Sequence, residues 1–138
     1  MGQFSAAVSK FVREVPGRAE TVVKESTQRV VSEAQTPLSE GGRMPVRSAF
    51  LRNSGISELN SVPRGPSRLG DGNPGEWDVG SLQLTLQGYQ LADTIYFGWT
   101  AIYARKIEEQ RGFVEAAAMR WPSIVEQVAR ELETRIRG

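Results

Sequence analysis

The chain has 138 residues and a net charge of +1, so it is long enough for one domain and has no global field that would attract nucleic acid or an anionic membrane. It contains no Cys and no His, which excludes a disulfide framework, a thiolate metal site and the commonest general base of enzymes. No apolar run is long enough to span a bilayer and the N-terminus lacks a signal-peptide pattern, so we expect a soluble protein made in the cytoplasm.

The first 35 residues have apolar side chains at helical spacing and predict a long N-terminal helical segment. Pro16 lacks the N–H that a helical hydrogen bond needs, so we expect a break there and a second helix that starts at Pro16 or Gly17. Pro37 ends the second helix, and residues 36–46 are predicted to form a loop because they are rich in Gly and Pro.

Three segments are predicted to form strands. Residues 54–62 alternate loosely between apolar and polar side chains, and the three leucines between positions 82 and 86 alternate strictly. In the third segment, residues 93–99, Gly98 indicates a bulge or a close backbone approach. The apolar residues of this segment that would share one face are Ile95, Phe97 and Trp99.

Two helices are predicted after the last strand. Residues 101–110 form a short helix, and residues 113–137 form the last helix because their apolar side chains follow one stripe. Pro122 should kink this last helix or mark a restart at Ser123. The side chains predicted to cap two short helices, one on either side of the sheet segments, are those of Ser48 and Thr100.

The whole chain, residues 1–138, is therefore predicted to be a single α+β domain with a long N-terminal helical segment, a small and mostly antiparallel sheet, and a C-terminal helix packed on it. A loop at about residues 63–76 is predicted to be mobile, because it is dominated by Pro, Gly and polar residues. This loop contains a literal G-x-G-x-x-G from Gly70 to Gly75. The dinucleotide mechanism needs a strand before the glycines and a helix after them, so we interpret the motif as a flexible loop.

Residues 41–70 carry five arginines and a single acid, Glu58. Arginines without lysines favour forked contacts to phosphates or to the carboxylates of a partner, whereas the simpler alternative is a solvated loop. Trp77, at the edge of the mobile loop, is the tryptophan best placed for an intersubunit contact. The residues predicted to form a partner interface are Arg43, Arg47, Phe50, Arg52, Arg64, Arg68 and Trp77.

No catalytic, cofactor-binding or metal-binding residues are predicted. Glu108 and Glu109 are adjacent, so on a helix their side chains point about 100° apart rather than at one substrate. We therefore expect a protein that is not an enzyme and has no cofactor.

Two segments carry a family resemblance: Pro-Val-Arg-Ser-Ala-Phe-Leu-Arg-Asn-Ser at 45–54 and Gly-Trp-Thr-Ala-Ile-Tyr-Ala-Arg-Lys-Ile-Glu at 98–108. Thr36-Pro37 precedes them, and Gly112-Phe113 and Trp121 follow. In this order they resemble the neck and tail-completion proteins that join head to tail in long-tailed bacteriophages. Ser48-Ala49 departs from the Thr-Gly that is usual in that family, and three residues separate Glu108 from the glycine that usually follows it directly.

The resemblance implies a structural protein of the virion, located at the head–tail junction and made in the host cytoplasm. It implies a ring of copies of this chain, expected to be a hexamer, around the channel through which genome DNA passes without sequence-specific binding. The implied partners are adjoining head-completion, tail-terminator or tail-tube proteins, and no membrane. The alternatives are a small DNA-binding accessory protein that uses the segment from Arg43 to Arg68, and a small hydrolase.

Overall fold

The computed structural model describes residues 6–15, 17–45, 50–63 and 77–137. The helices of these residues, together with a 3-10 turn at Leu38–Glu40, are α1 (Ala6–Glu14), α2 (Arg18–Ala34), α3 (Phe50–Asn53), α4 (Val79–Gln87), α5 (Ala104–Arg111), α6 (Phe113–Ala118) and α7 (Trp121–Arg137). The strands are β1 (Gly55–Leu59) and β2 (Ile95–Trp99), which form an antiparallel pair.

The break predicted at Pro16 is confirmed, since α1 ends at Glu14 and α2 begins at Arg18. Gly17 precedes α2 with a φ of 92°, in the left-handed region that Gly adopts readily. Arg18 stabilises the turn between α1 and α2. Its guanidinium lies 4.3 Å from the ring centroid of Phe11 and donates a hydrogen bond to the Phe11 carbonyl.

One apolar cluster lies where α1, α2 and α7 meet. α2 and α7 pack along each other, and α1 packs on both. Burial of Val, Leu or Phe side chains of this kind contributes roughly 1.5–3 kcal/mol each. The cluster consists of Val8, Phe11, Val22, Ile124, Val125, Val128 and Ala129.

The prediction of a strand at the three leucines is wrong, because residues 79–87 form helix α4. Leu82 and Leu86 are buried, whereas Leu84 is 69% exposed, so burial follows the i, i+4 spacing of a helix rather than strict alternation. Asp78 starts this helix, since its carboxylate accepts a hydrogen bond from the Gly80 N–H at 3.0 Å.

The other two strand predictions are confirmed as β1 and β2. Ile95, Phe97 and Trp99 lie opposite Leu59, Ser57 and Gly55 in the pairing register and share one face, as predicted. The bulge expected at Gly98 is absent, because Gly98 pairs regularly with Ile56. Within the part of the chain that the structure describes, the nearest neighbour of a Cβ added at Gly98 would be 4.0 Å away, so no described residue makes a close backbone approach there.

The C-terminal helical segment packs on the sheet and on α2. Phe113 of α6 contacts Trp99 of β2, with ring centroids 4.9 Å apart and the rings nearly perpendicular. The segment is interrupted as expected, but the restart comes at Trp121 rather than at Ser123, and this leaves Pro122 in the first turn of α7, where a missing N–H costs little. The fold is therefore the predicted α+β arrangement, with the C-terminal helices packed on a small antiparallel sheet.

Candidate interaction site

Three of the predicted interface side chains lie within the described residues: those of Arg43, Arg52 and Trp77. Arg47, Arg64 and Arg68 lie outside the described residues, as do Ser48 and nearly all of the loop at 63–76. Phe50 is placed as the first residue of α3, and its backbone alone is described.

Arg52 is tied to the C-terminal end of α2 by two reciprocal hydrogen bonds. Its Nε donates to the Gln35 carbonyl at 2.9 Å, and the Gln35 side-chain amide donates to the Arg52 carbonyl at 2.9 Å. Gln35 is only 1% exposed, and its Oε1 also accepts from the indole N–H of Trp99 at 2.9 Å. Gln35, Arg52 and Trp99 are thus joined in a hydrogen-bonded group centred on the buried Gln35, which we call the polar node. Arg52 is both a member of this node and a candidate for partner contact.

Trp77 lies beside Arg52. The Arg52 guanidinium is 5.5 Å from the centroid of the Trp77 ring, and the Trp77 main-chain N–H donates to the Asn53 side chain at 2.9 Å. On its other side the indole meets Phe97 edge-on at 6.4 Å. Among the described residues, none accepts a hydrogen bond from the buried indole N–H of Trp77. The structure therefore brings Arg52 and Trp77 together at the edge of the fold.

Arg43 lies elsewhere, at the C-terminal end of α5. Its Nη1 donates to the carbonyl of Arg111 at 3.1 Å, which satisfies one of the last free carbonyls of that helix and complements the negative end of its dipole. The two described arginines of the basic segment therefore bond to different elements, Arg43 to α5 and Arg52 to the end of α2.

The two segments that carry the family resemblance meet at Ser54. The Ser54 carbonyl accepts from the Thr100 main-chain N–H at 3.2 Å, and the Ser54 hydroxyl accepts from the Ala101 N–H at 3.2 Å. Thr100 does not cap α5 as predicted, because that helix begins at Ala104 and the Thr100 hydroxyl is directed to the Ser54 carbonyl at 3.4 Å. Its role is to join β2 to the end of α3.

Glu108 has a role that sequence reasoning missed. Its two carboxylate oxygens accept from the main-chain N–H groups of Val114, at 2.7 Å, and Glu115, at 3.0 Å. These are free donors in the first turn of α6, so the side chain caps a helix that follows a left-handed glycine, Gly112. A carboxylate a few residues before a Gly-Phe helix start is a signal that could have indicated this cap.

Sequence reasoning also missed an uncharged region. Residues 79–103, which include α4 and β2, contain a single charged residue, Asp93, although about a quarter of the whole chain is charged. The region is not fully buried, since Leu84, Leu91 and Ile102 are 69%, 57% and 63% exposed. A count of charges along the sequence could have found it.

Asp93 is engaged within the fold. Its carboxylate accepts from the Gln90 main-chain N–H at 2.8 Å and from the Asn60 side-chain amide at 3.1 Å, and these bonds hold the pKa of Asp93 below its ordinary value. Burial, together with the nearby charges of Asp93 and Glu20, raises the pKa of Tyr89. The Asp93 carboxylate thus stabilises the turn before β2 through these hydrogen bonds.

The described part of the chain offers no group of three or more His, Cys, Asp or Glu side chains that could hold a metal ion. In the same part of the chain, no helix is both long enough and apolar enough to cross a membrane. What these residues present instead is an Arg–Trp pair and an uncharged surface, both of which suit protein contacts.

No family model, curated protein or solved structure matches this chain.

Proposed function

We propose that this protein is a structural component of the neck of a long-tailed bacteriophage, where a ring of its copies joins head to tail around the DNA channel. The observation that carries the proposal is the meeting of the two resembling segments. They lie more than forty residues apart in sequence, yet Ser54 and Thr100 join them by hydrogen bonds.

Several residues of the resembling pattern also make contacts that stabilise the fold. The Trp of the second segment is Trp99, which donates to buried Gln35, and the Glu is Glu108, which caps α6. The Gly-Phe that follows supplies the left-handed residue before α6 and the ring that packs on Trp99. These residues of the pattern thus each take part in a contact of the fold, and this supports the proposal.

The main alternative is a DNA-binding accessory protein that uses the same arginines. The described arginines do not favour it, because Arg43 and Arg52 donate to main-chain carbonyls within the fold. Salt-dependent binding to duplex DNA by the purified protein would favour this alternative.

The direct test is deletion of the gene from the phage or prophage that carries it, followed by negative-stain electron microscopy of the lysate. We expect DNA-filled heads beside separate tails, and joined particles again when the wild-type gene is supplied from a plasmid. Intact infectious particles without the gene would overturn the proposal.

Complementation with variants then tests the predicted interface. Arg47→Glu is expected to leave heads and tails unjoined while the purified protein keeps its melting temperature. Arg52→Glu is unsuitable for this purpose, because it would remove the bond to the buried Gln35 carbonyl and so disturb the fold. Normal virions with Arg47→Glu would exclude Arg47 from the interface.

A further inference from the structure

Helix α1 is attached to the rest of the fold by few buried side chains. It has nine residues, and the two of its described side chains that are buried are those of Val8 and Phe11. Both enter the apolar cluster between α2 and α7, two helices of 17 residues each. An isolated helix shorter than roughly 12–15 residues is only marginally stable in water, so α1 depends on this contact to remain helical.

The connection between α1 and α2 does not continue the helical hydrogen bonds from one helix into the other. α1 ends at Glu14 and α2 begins at Arg18, and Pro16 between them has no N–H to donate. Gly17 has a φ of 92°, in a region that Gly enters and leaves at little cost. Because a hinge needs only a few residues that absorb changes in φ and ψ, α1 can swing at Gly17 without disturbing α2.

One side chain of α2, that of Arg18, contacts the C-terminal end of α1 in three ways. Its Nη1 donates to the Phe11 carbonyl at 3.1 Å, and this carbonyl is among the last four of α1, which have no partner within the helix. The guanidinium also lies 4.3 Å from the Phe11 ring centroid, and Nη1 is 3.6 Å from a carboxylate oxygen of Glu14. We call Arg18 the latch of α1, because it forms these contacts while α1 is in place.

The closed position of the latch also includes an unfavourable contribution. The Arg18 side chain is only 12% exposed, and none of the described residues accepts a hydrogen bond from its Nε. A buried donor on a charged group is unfavourable when it lacks an acceptor, and this donor regains water when α1 swings away. The regained hydration offsets part of the contacts that are lost, so opening of α1 costs less than those contacts alone would indicate.

We propose that α1 is a latched cover that swings away from α2 and α7 as a unit while the rest of the fold stays folded, and that Arg18 sets how often it opens. In the closed state α1 covers the apolar cluster between α2 and α7, into which Val8 and Phe11 insert. In the open state α2 and α7 remain together, because they also pack along each other. The proposal goes beyond the head–tail joining role and does not depend on it.

Native-state hydrogen exchange of the purified full chain, followed by NMR at increasing urea concentrations below the unfolding transition, tests the proposal. The amides of residues 10–14 should exchange at least about a hundredfold faster than the most protected amides of α2 and α7. Their exchange should depend weakly on urea because opening of α1 exposes little surface, whereas exchange of the α2 and α7 amides should depend steeply on it. If residues 10–14 show the same rates and urea dependence as α2 and α7, α1 opens only in global unfolding and the proposal is overturned.

A pair of variants tests whether Arg18 is the latch. Arg18→Ala removes all three contacts with α1 and should speed exchange of residues 10–14 about tenfold, because these contacts outweigh the one unsatisfied donor. Lys10→Ala is the matched control, since it removes a positive charge that is exposed on α1 itself, and should change the same rates less than about threefold. Equal effects of the two variants, or slower exchange in Arg18→Ala, would exclude Arg18 as the latch.

A third variant, Gln35→Met, separates opening of α1 from global unfolding. Gln35 follows the end of α2 that is distant from α1 in the chain, and it belongs to the polar node, which stays intact when α1 swings away. Gln35→Met should therefore speed exchange of the most protected α2 and α7 amides at least about tenfold and leave residues 10–14 unchanged. Equal acceleration of both sets of amides would overturn the proposal. These measurements do not involve the phage, so their failure is separate from failure of the proposed joining function.

Discussion

The two sides of this molecule differ in charge and in what holds them together. α2 and α7 each carry six charged residues in 17, and two ion pairs, Arg29–Glu131 and Arg135–Glu25, cross between them. Residues 79–103, on the α4–β2 side, carry only Asp93. The α4–β2 side is held by a buried polar node and a chain of aromatic contacts.

The comparison shows that the surface charges of the α2–α7 side are not what stabilises it. The side chains of both ion pairs are at least one-third exposed, and exposed pairs of this kind contribute little. Beneath them, Val22 and Val128 are fully buried within the apolar cluster, and burial of such side chains stabilises the contact between the two helices. The charges keep this side of the molecule hydrated, whereas the uncharged side exposes apolar area that a partner can cover.

The largest loss in the free energy of unfolding is expected when the polar node of the uncharged side is disrupted. Gln35→Met keeps the volume of the side chain but leaves the indole N–H of Trp99 and the carbonyl of Arg52 without partners in a buried site. Each lost partner costs about 1–3 kcal/mol, so we expect the free energy of unfolding to fall by about 3 kcal/mol in urea denaturation.

The matched control is Gln28→Met on the same helix, since Gln28 is only partly buried and borders the groove between α2 and α4. This change should shift the free energy of unfolding by less than about 0.5 kcal/mol. Equal losses in the two variants would mean that the hydrogen bonds of Gln35 do not stabilise the node.

The second-largest loss of stability is expected at Gly55, where β1 and β2 pack closely. A Cβ added at Gly55 would lie 2.8 Å from the Phe97 ring and 2.9 Å from the Gln35 amide. Gly55→Ala should therefore destabilise the protein by about 2 kcal/mol, because both neighbours must move. Gly88→Ala, where the nearest atom is 3.5 Å away, should be nearly neutral in the same thermal denaturation.

A smaller effect is expected at the cap of α6. Glu108→Ala removes the acceptor of the Val114 and Glu115 N–H groups, and loss of such a cap costs about 1 kcal/mol. Glu109→Ala is the control, because the adjacent side chain is exposed and caps nothing. If the two variants melt at the same temperature, the cap does not stabilise α6.

Much of the fold could be predicted from the sequence because breaks and strands depend on local chemistry. Pro16 and Pro122 interrupt helices through their missing N–H, and the β-branched and aromatic residues of β2 favour a strand. The helix α4 was missed because its leucines fit both periods over a short stretch. The Asp78 cap and the high helix propensity of Leu decide for the helix.

The candidate site was less predictable. The pairing of Arg52 with Trp77 depends on how a chain segment of more than twenty residues returns to Asn53, and no local pattern specifies that return. The node at Gln35 was missed because a buried Gln looks like any other polar residue at the end of a helix. Its burial follows from the three elements that converge there, α2, α3 and β2.

The smallest effect should come from the charged side, at Glu131. The hydrogen bond from Arg29 holds the pKa of Glu131 below its ordinary value of 4.5. A lowered folded-state pKa means that the pair stabilises the protein above pH 4.5 and that this contribution is lost as the pH falls through the folded-state value. Glu131→Gln should therefore cost less than Glu108→Ala at pH 7, and its cost should decrease as the pH falls below 4.5 and through the folded-state pKa.

Salt should weaken the same contribution, because the pair is exposed and about 1 M NaCl screens it. Denaturation of the wild type and Glu131→Gln at pH 7 and pH 3, with and without salt, measures both dependences. If Glu131→Gln lowered the free energy of unfolding as much as Gln35→Met does, exposed charges would stabilise this fold as much as the buried node. That result would contradict the conclusion that the surface ion pairs contribute little. We therefore expect the loss of stability to be largest for the buried amide and smallest for the exposed carboxylate. The buried partners of Gln35 cannot be hydrated once their hydrogen bonds are lost, whereas Arg29 at the surface can.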